Sequence, residues 1–153
     1  MQNVHKIVYS LDETSITAAG TATARFDTLG ADHLSISIRA GTANVVSNKP
    51  TVLKLQEADT TDASNLADIA GFRGGTAVTT SVDFVIPNAN TVATAVLQND
   101  YVFGVDLRGR KRYIVAAISP ATTQLIKVVG VLSRLEEAPI TAAKANAMTL
   151  IAG

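Results

Sequence analysis

Cysteine is absent from the 153 residues. That excludes disulfides, thiolate metal sites and thiol nucleophiles together, and it removes any need for an oxidising compartment. Tryptophan is also absent, and aromatic residues make up only 5% of the chain, so the core is expected to be built from Val, Ile, Leu and Ala. Neither sign of charge is in excess, with 13 Lys and Arg against 13 Asp and Glu. A protein held on nucleic acid by phosphate neutralisation wants a basic surplus, and so does a polybasic membrane-surface protein; neither class is expected. The longest fully apolar run, Tyr113 to Ile118, is far short of a membrane span. Met1 to Lys6 holds no apolar stretch of signal-peptide length, so the chain is expected to be soluble and made in the cytoplasm.

What is present suits one folded domain. At 15.9 kDa, a globular chain buries roughly two-thirds of its unfolded surface. Hydrophobic residues are 47% and charged residues 17%, ordinary for a folded protein and too apolar for a disordered one. The dominant period is two. Leu34, Ile36, Ile38 and Ala40 alternate with His33, Ser35, Ser37 and Arg39, the pattern of a half-buried strand. Leu53 and Leu55 alternate with Lys54 and Gln56. Val82, Phe84 and Ile86 form another such run, ended by Pro87. Tyr101, Phe103, Val105 and Leu107 share one face of a further one, and His5, Ile7 and Tyr9 suggest an opening strand.

Tyr113–Ile118 and Leu125–Leu132 are more continuously apolar and rich in β-branched residues, which favours strands. Ser119 to Gln124 between them is turn material, so the two are expected to form a hairpin. Glycines and Asn/Pro clusters punctuate the chain at short intervals, and no long amphipathic helix alternates with the strands. The expected fold is therefore all-β: one antiparallel β-sandwich of about eight strands, over residues 1–153. Its expected core is Leu34, Ile36, Ile38, Leu53, Leu55, Phe84, Phe103, Val105, Ile114 and Val129. A single helical turn capped by Asp62 or Ser64 fits between Ala58 and Ala70. Residues 1–4 and 138–153 fit no obvious strand and are expected as subunit-crossing or flexible segments, the latter as short helix or extended arm.

Little in the chain reads as chemistry. His5 and His33 are the two histidines; neither has a nucleophile and an orienting partner nearby in sequence, as a catalytic base requires. Glu57, Asp59, Asp62 and Asp68 cluster without basic residues among them, but they lack calcium-loop spacing and read as a solvated loop. Gly71-Phe72-Arg73-Gly74-Gly75-Thr76 resembles a phosphate cradle only superficially, since it lacks the Gly-Lys-Ser/Thr ending. The sharpest charge feature is Arg108-Gly109-Arg110-Lys111-Arg112. It reads either as a hairpin tip kept soluble by charge or as a contact for an acidic surface, with Glu57, Asp59, Asp62 and Asp68 of a second copy one candidate. Nucleic acid ranks third for want of aromatic platforms. No catalytic, cofactor or metal residue is expected, and no small-molecule substrate.

Several stretches together carry a resemblance. They are Phe26-Asp27-Thr28-Leu29-Gly30-Ala31-Asp32-His33-Leu34-Ser35-Ile36, then Leu53 to Asp59 with Ile69-Ala70-Gly71-Phe72, then Asp106 to Tyr113, and finally Leu132-Ser133-Arg134-Leu135-Glu136-Glu137-Ala138-Pro139. Over roughly residues 26–139 the chain resembles the head decoration, or cement, proteins of tailed bacteriophages. The resemblance implies a β-sandwich of jelly-roll type and a non-enzymatic virion protein. Such a protein binds the major capsid protein on the outside of the head, commonly as a homotrimer, with no cofactor. A tail or neck component and a carbohydrate-binding sandwich are the alternatives. The second is weakened by the absence of Trp and by the presence of only Tyr9, Tyr101 and Tyr113 as tyrosines.

Overall fold

The computed structural model describes residues 5–18, 20–41, 49–61, 64–87 and 98–135. Among them there is no helix, and nine strands follow in chain order: β1 (His5–Ile16), β2 (Ala22–Asp27), β3 (Ala31–Gly41), β4 (Val52–Ala58), β5 (Ala67–Gly75), β6 (Phe84–Val85), β7 (Gln98–Asp106), β8 (Tyr113–Ser119) and β9 (Gln124–Leu135). They form two sheets, one in the order β1-β9-β3-β7 and one in the order β2-β8-β4-β5-β6. Every pairing is antiparallel except the short parallel contact of β5 with β6. The expected all-β sandwich is what the chain forms.

The core lies between the sheets and follows from the period-two pattern. Leu34, Ile36, Ile38 and Ala40 of β3 point inward with Ile126, Val128 and Leu132 of β9. Across from them stand Ala22, Ala24 and Phe26 of β2, Leu53 and Leu55 of β4, and Ile114, Ala116 and Ile118 of β8; all join one buried cluster. β8 is the exception to alternation, because Val115 and Ala117 on its other face are buried too. A strand buried on both sides reads as a continuous apolar run, which is how 113–118 looked.

Phe26 decides how close the sheets come. Its ring lies directly over Gly130 of β9, where a Cβ would overlap it. Gly130 sits between Val8 and Ile36 of its own sheet, so the absent side chain is the socket for the largest fully buried residue of β2.

Several expectations are corrected. Val129 is not core: Val128 is buried and Val129 stands half-exposed on the outer face. In a run where both faces carry valine, period alone does not choose the inward set. Phe84 and Phe103 are only partly buried, at the sandwich edge, where Phe103 meets Phe72 and Phe84 with ring centroids 6.0 Å and 6.4 Å away. β8 and β9 are not a hairpin, because they lie in different sheets. The same holds for β7 and β8, so Arg108–Arg112 is a crossing between sheets rather than a hairpin tip. The helical turn is replaced by strand from Ala67 onward, with a turn at Ser64 and Asn65; its proposed cap Asp62 lies outside the described residues, as do 1–4 and 138–153. Glu57, Asp59 and Asp68 are not one loop: Glu57 is on β4, Asp68 is on β5, and Asp59 follows β4.

Candidate contact surface

The basic crossing is fixed by backbone before its charges are considered. Leu107 donates its N–H to the Asp32 carbonyl at 2.9 Å, and Arg110 donates to the Leu107 carbonyl at 3.0 Å across a turn. Gly109 in that turn has φ of 78°, a region that favours glycine. The Arg112 carbonyl then accepts both the Thr28 N–H at 3.0 Å and the Thr28 hydroxyl at 2.6 Å. The segment is thereby clamped to the β2–β3 connection at one end of the sandwich.

Each cation of the segment meets a carboxylate of the same chain. Arg108 pairs with Asp106 at 2.6 Å, two residues back on β7. Arg110 approaches Glu57 at 3.8 Å. Lys111 reaches Asp59 at 2.8 Å, and its backbone N–H donates to Glu57 Oε2 at 3.3 Å. Arg112 holds Asp27 with two parallel bonds, Nε to Oδ1 at 2.9 Å and Nη2 to Oδ2 at 2.7 Å, while its guanidinium carbon lies 5.1 Å from the Tyr113 ring centroid. The fork geometry is the strong form of an arginine–carboxylate pair. It holds the Asp27 carboxyl below the usual carboxylate range, the Arg112 hydrogen bond outweighing partial burial.

Of the acidic residues singled out in the sequence, Glu57 and Asp59 thus face the basic segment. Asp68 does not. It lies across β4, where its Oδ1 accepts from Lys54 Nζ and Gln56 Nε2, both at 2.8 Å. Burial raises the Asp68 carboxyl, but the Lys54 and Gln56 contacts more than reverse this and leave it lowered. Asp27, the best-held partner of the segment, escaped the sequence reading. It is 85 positions from Arg112, and nothing local marks it. The outcome is a neutralised, cross-braced end of the sandwich, with Leu29, 72% exposed, at its tip.

The glycine segment Gly71–Thr76 has its own surprise. All of it but Thr76 belongs to β5, and an irregularity in register opposite Leu55 bows the strand out. Gly71 has φ of 87°. The N–H groups of Gly71 and Arg73 both point at Asp83 Oδ2, at 2.7 Å and 3.2 Å, and the Arg73 guanidinium closes on the same carboxylate at 3.0 Å and 2.7 Å. Converging backbone amides make an anion cradle, and here the anion is the chain's own Asp83. The Arg73 bonds, reinforced by those amides against a desolvation cost, take the Asp83 carboxyl down to about 2.

The histidines fall in one cross-strand row on the outer face of the β1-β9-β3-β7 sheet, in the order His5, Ser133, His33, Asp106. Among the described residues no group of three or more His, Asp or Glu is placed to hold a metal ion. The next rows of that face are Ile7, Val131, Ser35, Gly104 and Tyr9, Val129, Ser37, Val102. Ile7 is 54% and Val102 69% exposed. The polar side of β3 thus lies between the outward valines of β9 and β7, which make half of this face apolar. The sequence signal for this was available in the doubled valines of 128–131. No known protein family and no curated protein matches the sequence.

Proposed function

We propose that this chain is a virion structural protein, a decoration protein that binds the outer surface of a phage head and strengthens the shell. The observation that carries the reading, beside the sequence resemblance over 26–139, is the nesting of the strand pairs. β4 pairs β5, β3 pairs β7, β2 pairs β8 and β1 pairs β9. Such nesting is one long antiparallel hairpin wrapped into two sheets, and it supports a jelly roll, a fold that recurs in viral capsid and lectin domains. Fold alone does not assign function; the resemblance chooses the virion over the lectin.

The mechanism is linkage. A protein that binds assembled shell and not free capsomers raises the free energy of disassembly by mass action. A homotrimer repeats one small interface about a three-fold axis and offers the shell three equivalent contacts. The exposed ends of the sandwich, including Leu29 and the braced 108–112 crossing, are the proposed contact surface. The test is co-sedimentation with heads of the phage that encodes the chain, followed by heating with and without the protein. Binding with a raised shell melting temperature is expected. Absence of binding rejects the reading; rings or tubes formed by the isolated protein point to a tail or neck component; selective glycan-array binding points to the lectin class.

A further inference from the structure

β7 ends its sheet, and among the described residues no strand pairs with its far side. The register with β3 sets which main-chain groups face that side. His33 stands opposite Asp106, and Leu107 N–H donates to the Asp32 carbonyl. Bonded and non-bonded pairs alternate in an antiparallel ladder, so Val105, Phe103 and Tyr101 bond to β3. The N–H and C=O groups of Asp100, Val102 and Gly104 point outward. Proteins blunt such edges with bulges, lysine, proline or short length. β1, the opposite edge of the same sheet, shifts register twice against β9, and the edge strand β6 has two residues. β7 has no bulge, lysine or proline: nine pairs run to β3 without a shift, and the two charges of Gln98–Asp106, Asp100 and Asp106, are held by Arg39 and Arg108 of the same chain.

We propose that β7 pairs antiparallel with β7 of a second copy about a two-fold axis at Val102, joining two four-stranded sheets into one. Charge selects this register. A centre at Phe103 crowds Asp100, held by Arg39 at 2.9 Å, against Asp106 of the other copy, held by Arg108 at 2.6 Å, so neither carboxylate gains a partner and two acidic side chains meet across the ladder. A centre at Gly104 sets Val102 against the Asp106 carboxylate and carries the pairing beyond the end of β7. A centre at Val102 sets the exposed valine against its equivalent and Asp100 against Gly104, where no side chain competes. The contact is isologous. It is distinct from the three-fold contact of the proposed trimer. It also brings the outer apolar rows of two copies side by side. It holds for the isolated protein and does not rest on the virion reading.

Val102→Cys tests it, because the chain has no other cysteine and an introduced thiol bonds only to its equivalent. Paired residues at such a centre have Cα atoms about 5.5 Å apart, within disulfide range. Under mild oxidation Val102→Cys is expected to cross-link into covalent dimer at least tenfold faster than Ser37→Cys, on β3 of the same face. Val102→Lys is expected to halve the sedimentation mass while leaving the circular dichroism unchanged. Cross-linking no faster than Ser37→Cys, or a sedimentation mass that Val102→Lys does not change, overturns the proposal. If the Val102→Lys chain loses its fold, the cross-linking rate of Val102→Cys against Ser37→Cys decides alone. Capsid binding is not read in either experiment, so failure here leaves the decoration reading standing.

Discussion

Two single residues fix local geometry that no periodicity could reveal. Gly130 is one, because Phe26 from the facing sheet occupies the volume a side chain would need. Overpacking a well-filled core costs about 1–3 kcal/mol, so Gly130→Ala is expected to destabilise by that amount in urea unfolding. Phe26→Leu in the same chain should return part of the loss, since the two residues share one volume and their effects cannot add. Asp83 is the other. Its folded pKa of about 2 lies below the ordinary 3.8, so its contribution is complete above about pH 4 and fades as pH falls toward 2. Asp83→Asn is expected to be less stable than the native chain at pH 7, with the gap closing as melting is followed down through that window. Asp83→Ala empties the cradle made by Gly71 and Arg73. Sulfate should then raise its melting temperature more than it raises that of the native chain, with chloride at matched ionic strength as control. In the sequence, Gly71 and Arg73 were visible as a cradle-like motif, but the ligand was not, because Asp83 lies ten residues beyond Arg73 on the far side of a turn.

At the scale of elements, strands were far easier to read than their partners. β3, β4 and β7 show clean alternation because each buries one face, and their boundaries emerge nearly as expected. β5 hid itself. Its glycines and its bow opposite Leu55 break the period, so acidic residues on two paired strands looked like one loop. The hairpin rule failed for β7–β8 and β8–β9 because neighbours in sequence switch sheets here, and a turn-rich connection looks the same whether it returns beside its strand or crosses the sandwich. The basic crossing shows the consequence. Read as a hairpin tip it called for an outside partner, whereas the fold brings Asp27, Glu57 and Asp59 to it. Its arginines are therefore not equivalent. Arg112, at the end of the crossing, holds Asp27 of β2 through a two-bond fork, while Arg108 pairs with Asp106 only two residues back. Arg112→Ala is expected to lower the melting temperature clearly and Arg112→Lys to recover little of it, because an ammonium cannot reproduce the fork. Arg108→Ala should leave it nearly unchanged. Equal effects of the two alanine variants would show that the braces do not distinguish these elements.

At the scale of the whole molecule, the nested pairing places nearly the full chain between partners. His5 at one end stands opposite Ser133 near the other, and β2 meets β8 across almost a hundred residues, as Ala22 with Ile118. Among the described residues only the β4–β5 and β5–β6 pairs are local. Each outer pair must therefore close a loop containing all the inner ones, and that entropy is lost before the contacts that repay it are made. The two sheets share a single core cluster, so neither buries its apolar face until the other is in place. Folding is expected to be one cooperative event on the millisecond-to-second scale, with denaturant chevrons of single slope on each arm. Substitutions at Leu53 and Leu55 of the local pair should slow folding. Substitutions at Val8 of the outermost pair should mainly speed unfolding. Stopped-flow measurements on the two sets separate these cases, and a folding rate more sensitive to Val8 than to Leu55 would mean that the chain ends meet first.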